Sequence, residues 1–208
     1  MSKHLIVSGI GTEVGKTVAA AIIAEALGMD YWKPIQAGDL ENTDSHKVAS
    51  WISNPKERMH PEAFRLNIPA SPHYSAELDG ITIQKEALVI PESHNRLLIE
   101  GAGGLMVPIN QQETLLDVFA DWQIPVILVS RHYLGSINHT LMSIQALKDR
   151  NIPIAGILFN GEENLPSEEI IEKIGGVHII GRVDQSNEVN AQFISEQAQK
   201  LKEALKAI

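Results

Sequence analysis

The sequence contains no cysteine, which removes disulfides, thiolate metal sites and cysteine nucleophiles at once. Basic charge is in deficit: 17 lysines and arginines face 26 aspartates and glutamates, a formal net charge of −9. A chain with that balance does not advertise nucleic acid or an acidic membrane surface as its partner. Long hydrophobic runs are missing too. Met1-Ser2-Lys3-His4 leads into an apolar stretch, residues 5–10, that is too short for a signal peptide or a membrane span. The chain therefore reads as soluble and cytoplasmic. Aromatic side chains make up only 5%, and Trp32, Trp51 and Trp122 read as packing residues. The eight histidines fall in no H-x-H or H-E-x-x-H spacing, which argues against a zinc site.

What is present is a globular composition. At 44% apolar and 21% charged residues, disorder is excluded as the dominant state. A length of 208 residues suits a single α/β domain spanning 1–208. Short runs rich in Ile, Leu and Val, with little alternation, occur at 5–10, 97–99, 125–130 and 154–159, and more weakly at 31–35 and 177–183. Strands buried on both faces of a parallel sheet have that pattern. Helical spacing lies between them: Ile137, Leu141, Ile144 and Leu147 recur at four, three and three, as do Ile194, Ala198, Leu201 and Leu205 near the end. The alternation predicts an α/β fold with a doubly wound, mostly parallel sheet flanked by helices. Residues 38–95, with five prolines and little apolar content, read as an excursion with short helices near 44–53 and 75–79.

The strongest local signal is Gly9-Ile10-Gly11-Thr12-Glu13-Val14-Gly15-Lys16-Thr17, between a predicted strand and a predicted helix at 18–27. Glycines let successive N–H groups turn inward to phosphate oxygens, and the helix start adds its positive dipole end. In such a P-loop Lys16 reaches the β- and γ-phosphates and the Thr17 hydroxyl holds Mg²⁺. The pattern is a variant, because its first glycine, Gly9, stands one position earlier than G-x-x-x-x-G-K-[ST] requires. Glu100 closes the run 97–99 just before Gly101-Ala102-Gly103-Gly104, at a strand end where open α/β sheets put ligand chemistry. It reads as a metal carboxylate or as a loop cap. Asp44, in a Thr-Asp-Ser run, reads equally as a second metal carboxylate or a helix N-cap. Lys33 interrupts the apolar run 31–35. An unpaired buried charge is costly, so it either snorkels to solvent or faces an anion at the strand end.

These segments, together with Lys33-Pro34-Ile35-Gln36-Ala37-Gly38, Thr43-Asp44-Ser45, Pro69-Ala70-Ser71-Pro72-His73, Glu100-Gly101-Ala102-Gly103-Gly104 and Leu134-Gly135-Ser136-Ile137-Asn138-His139-Thr140, resemble the dethiobiotin synthetase family in order and spacing. The resemblance implies an ATP-dependent cyclo-ligase of biotin biosynthesis on a P-loop NTPase fold. Its substrates would be 7,8-diaminononanoate, CO₂ or bicarbonate, and ATP, with Mg²⁺. It also implies a homodimer with the active site near the interface. It assigns Lys16, Lys33 and Thr12 to catalysis, and Gly11, Thr12, Glu13, Val14, Gly15, Lys16, Thr17, Glu100, Gly101, Gly103 and Asn160 to the nucleotide. Thr17, Asp44 and Glu100 would form the metal set. Thr12, Lys33, Ala37, Gly135, Ser136, Ile137 and Asn138 would contact the diamine substrate, the last four from the partner subunit. Ala37 stands where some relatives carry a hydroxyl. Two other readings are weaker. An amidation synthetase would need a glutamine-hydrolysing domain or partner, and the chain has no cysteine nucleophile to release ammonia. A partition-type switch ATPase would carry a second lysine early in the loop, where Ser8-Gly9-Ile10-Gly11 has none.

Overall fold

The computed structural model describes residues 4–208. Its main sheet has seven strands in the order β4-β2-β6-β1-β7-β8-β9, and every ladder in it is parallel. They are β1 (Leu5–Gly9), β2 (Asp30–Trp32), β4 (Met59–His60), β6 (Leu97–Gly104), β7 (Val126–Arg131), β8 (Ile154–Asn160) and β9 (Ile179–Val183). A separate pair, β3 (Ile35–Ala37) and β5 (Phe64–Leu66), is also parallel. The helices are α1 (Lys16–Leu27), α2 (Asp44–Trp51), α3 (Pro72–Leu78), α4 (Leu115–Trp122), α5 (Ser136–Asp149), α6 (Leu165–Gly175) and α7 (Ala191–Lys206).

Period-two alternation sends neighbouring strand residues to opposite faces. Leu5 and Val7 of β1 pack with α1, α2 and α7 on one face, and Ile6 packs with α3, α4 and part of α5 on the other. A third cluster joins Leu128, Ile157 and Phe159 to α5 and α6. The chain runs from β1 outward to β2 and β4, returns through β6, and leaves on the other side through β7 to β9. The order reverses around β1, so the carboxyl ends of β1 and β6 border the crevice where ligands bind in open α/β sheets.

The structure corrects several sequence expectations. The run 31–35 is not one strand. Pro34 has no N–H to continue a ladder, so the chain leaves the main sheet after Trp32 and re-pairs as β3 with β5. The strand expected at 97–99 continues through the glycines to Gly104, paired across a bulge with Gly9. Helices α4 and α6 were not anticipated, nor were the strands of 38–95, β4 pairing with β2 and β5 with β3. That stretch has no separate core: Val48 and Ile52 join one face cluster, and Leu66, Ala76, Ile83 and Leu88 join the other.

Asp30 ties the edge of the sheet together. Its carboxylate meets His60 Nε2 at 3.3 Å, accepts from Asn95 Nδ2 at 3.1 Å, and accepts from the Ser93 hydroxyl. Burial works to raise its pKa, but these hydrogen bonds more than offset that and hold it below the usual carboxylate value. A depressed folded pKa contributes stability above the unfolded value, lost as pH falls through the folded one. Asp30→Asn is therefore expected to lower unfolding free energy by roughly 1–2 kcal/mol at neutral pH. In denaturant titrations the gap should shrink below about pH 4. A gap that is the same at pH 7 and about pH 3 would contradict this assignment.

Candidate active site

The phosphate loop joins β1 to α1. Gly9 ends the strand where the loop folds back, and a Cβ there would lie 2.6 Å from Val14 Cγ2. This crowding accounts for a glycine one position earlier than the simple motif. Gly15, the N-cap of α1, sits at φ +91°, and a Cβ on it would fall 2.1 Å from Asn160 Nδ2. Glu13 is left-handed too, at φ 56°, a strained state that surrounding structure must enforce. Val14 does so from within: its side chain is buried in the core, and its carbonyl accepts from Asn160 Nδ2 at 3.0 Å. No side chain caps α1, which leaves its first-turn N–H groups for an anion. Lys16 Nζ donates to the Gly11 carbonyl at 2.7 Å, lying across its own loop. Burial pushes its pKa down to about 8; Glu100 opposes the shift and Lys33 adds to it.

Beneath the loop lies a buried ion cluster. Lys33 Nζ is 2.6 Å from Asp44 Oδ2 and 3.2 Å from Glu100 Oε1. Glu100 Oε1 also accepts from Thr17 Oγ1 at 2.9 Å, and its Oε2 accepts from Tyr31 at 2.8 Å. Register builds this arrangement. Tyr31 pairs with Leu98 across β2 and β6, so Lys33 and Glu100, each two residues on, reach the same face as α1, whose first turn carries Thr17. Asp44 arrives differently. Thr43 is the N-cap of α2, accepting from the His46 N–H at 3.1 Å. The Asp44 N–H donates to Gln36 Oε1 at 3.3 Å. The cap is therefore Thr43, and the Asp44 carboxylate faces Lys33. Burial alone would lower the Lys33 pKa, yet Glu100 and Asp44 raise it above the ordinary lysine value. Burial alone would raise the Asp44 pKa, yet Lys33 chiefly brings it below the ordinary one. Of the two options for Lys33, the anions decide: it is buried and faces two of them.

The cluster opens into a cleft of about 750 Å³ lined by Thr12, Glu13, Gly15, Lys16, Thr17, Lys33, Ala37, Asp44, Glu100, Gly103 and others, including Lys47 and Gln36. A second cavity of about 530 Å³ lies beyond Val18 and is lined by Asn160, His132 and residues 183–186. Gly101 lines neither, and a Cβ on it would lie 3.1 Å from Phe119 Cζ. Gly135, Ser136, Ile137 and Asn138 form the start of α5 and also lie outside both cavities. Sequence reasoning missed Tyr31 and Gln36. Tyr31 carried a readable signal, because a strand period of two puts it on the same face as Lys33.

The chain matches a family described as an AAA domain over residues 3–192. It is 52% identical over 205 residues to the ATP-dependent dethiobiotin synthetase BioD of Christiangramia forsetii, covering 99% of both chains. It is 54% identical over 184 residues to the protein of that name from Afipia carboxidovorans, covering 88% of each. This chain belongs to the dethiobiotin synthetase family. Among solved structures, this dethiobiotin synthetase family member resembles a plasmid partition protein from Borrelia burgdorferi (TM-score 0.62, 14% identity, both chains covered in full). It also resembles a ParA family ATPase from Chlorobium tepidum (TM-score 0.56, 15% identity, 99% and 93% covered). At such identities they carry the fold alone, a P-loop NTPase fold.

Among the side chains of this cleft, the oxygen donors Thr17, Asp44 and Glu100 could hold a hard cation. Among the described residues no group of three or more His, Cys, Asp or Glu could cage a metal. A hydroxyl and two carboxylates completed by phosphate oxygens is a set that fits Mg²⁺. Gly15→Ala should lower unfolding free energy by roughly 1–3 kcal/mol through backbone strain and the clash with Asn160. Asn160→Ala on top of it should return the clash part. If denaturation melts show the two losses simply adding, the contact does not constrain the loop.

Proposed function

We propose that residues 1–208 act as one ATP-binding unit that closes 7,8-diaminononanoate and CO₂ into the cyclic urea of dethiobiotin, giving ADP and phosphate. ATP-dependent dethiobiotin formation in biotin biosynthesis is the activity supported by relatives at 46–54% identity, and the following steps are our reading of how this chain performs it. One amine adds to CO₂ and loses a proton, giving a carbamate. A carbamate oxygen attacks the γ-phosphorus, and the bond to the bridging oxygen breaks to release ADP. The second amine attacks the carbonyl carbon of the mixed anhydride, and the carbon–oxygen bond to phosphate breaks as the ring closes.

No covalent enzyme intermediate is needed, so the protein's work is positioning and charge neutralisation. Lys16 turns from the Gly11 carbonyl to the phosphates. Lys33, already buried beside the loop, faces the carbamate and the transferring phosphoryl group, and Thr12 and Glu13 border both. Thr17, Asp44 and Glu100 would hold Mg²⁺, which when bound neutralises phosphate charge. Asn160 and residues 183–186 would receive the adenine side in the second cavity. The substrate carboxylate would meet the start of α5 from a second copy of the chain, near Ala37. Supporting that homodimer, α5 has no side-chain cap, and Leu134, Tyr133 and Met142 beside its start are exposed. We place the protein in the cytoplasm; among the described residues no helix is long and apolar enough to cross a membrane.

The observation that carries this reading is the buried Lys33 held between Asp44 and Glu100 against a loop lysine in one cleft. ATP turnover should be nearly silent with the protein alone and rise sharply only when the diamine and bicarbonate are both present. Water lacks the anchored carboxylate and forfeits the orientation advantage. The product mass should equal the diamine plus one carbonyl less two hydrogens. Lys33→Met should reduce this stimulated rate by about 10²–10³-fold while leaving ATP affinity much less changed. Turnover that ignores the diamine, without the cyclic product, would contradict the proposal.

A further inference from the structure

Tyr31 is wholly buried, in a cluster otherwise made of apolar side chains such as Val7, Ala20 and Leu98. Its phenol is the one polar atom it carries into that layer, and it ends on Glu100 Oε2 at 2.8 Å. The other oxygen, Oε1, meets Thr17 at 2.9 Å and Lys33 at 3.2 Å. The carboxylate is thus divided: one oxygen is tied back into the sheet and the other faces the cleft. A carboxylate on a two-carbon stem turns freely unless something fixes it, and a tyrosine hydroxyl on the adjacent strand does so at little entropic cost, since the ring is already packed. A carboxylate oxygen only accepts, so the phenol is the donor in this bond.

We propose that Tyr31 is a positioning residue for the nucleotide-bound divalent cation, holding Glu100 so that Oε1 alone is presented to the cleft. The proposal rests on the metal-set reading given above. Partners that orient a ligating carboxylate typically change metal affinity about 10–100-fold when removed. The effect on nucleotide affinity without metal should be small, because Tyr31 is not among the residues lining either cavity.

The test uses the full chain with ADP and Mn²⁺ as a spectroscopic stand-in for Mg²⁺, so that no turnover is involved. Electron paramagnetic resonance reads free Mn²⁺, and calorimetry in EDTA reads ADP affinity alone. Tyr31→Phe should weaken Mn²⁺ binding to the ADP complex roughly 10-fold and change ADP affinity in EDTA less than about twofold. Tyr31→Met, which also lacks the hydroxyl but packs less well, should weaken Mn²⁺ to the same degree despite a larger loss of thermal stability. Mn²⁺ affinity unchanged in Tyr31→Phe, or a loss that tracks thermal stability rather than the hydroxyl, would overturn the positioning role. A wild-type protein whose ADP complex binds no Mn²⁺ would instead overturn the metal-set reading beneath it.

Discussion

Lys33 carries its ammonium almost wholly out of water and sets it between two carboxylates, Asp44 and Glu100. Taking a charge into the interior costs several kcal/mol unless partners compensate, and here they do so in detail. Asp44 and Glu100 flank Lys33, while Thr17 and Tyr31 complete the hydrogen bonding of Glu100. Such a cluster is poor evidence for stability, since apolar residues of similar volume would often serve as well. Its use on the proposed mechanism is to keep a cation desolvated and fixed where negative charge moves.

The fold supplies that cluster from four separate pieces of chain. Strand β6 brings Glu100 and the end of β2 brings Lys33, both on the face covered by α1. The first turn of α1 adds Thr17, and α2, capped by Thr43, brings Asp44 across from outside the sheet. The parallel ladders fix register to the residue, and a one-residue slip would turn Glu100 to the opposite face. The phosphate loop is held in the same manner, with Val14 buried in the core below and Asn160 of β8 bonded to its carbonyl. The left-handed backbone at Glu13 is therefore supported by the sheet rather than by the loop itself.

Much of this was readable in the sequence, and the exceptions have physical causes. The phosphate loop was legible because its glycines and lysine act locally. The central strands were legible because burial on both faces leaves continuous apolar runs. The run 31–35 misled because apolar content does not show that Pro34 ends a ladder. Helix α4 was missed although Thr114 and Asp117 form a local N-terminal signal, with Asp117 accepting from the Thr114 N–H at 2.8 Å; α6 was missed although Asn164 caps it by accepting from Ser167 N–H at 3.2 Å. Asp44 could not be told from a cap until Thr43 was seen to fill that role. Alternation alone put Tyr31 on the face of Lys33, but its bond to Glu100 depends on register with a strand more than sixty residues away. The start of α5 lies outside both cavities, so residue physics alone gives it no role, and the one proposed for it comes from the family resemblance.

The proposed nucleophile toward the γ-phosphorus is a carbamate oxygen held against Lys33. The most direct measurement starts the reaction with ¹⁸O-labelled bicarbonate in unlabelled water and analyses the released phosphate by mass spectrometry before the label exchanges. If the carbamate oxygen attacks, each phosphate formed alongside the cyclic urea carries one labelled oxygen. Phosphate carrying only oxygen from ATP and water, while the urea still forms, would contradict it.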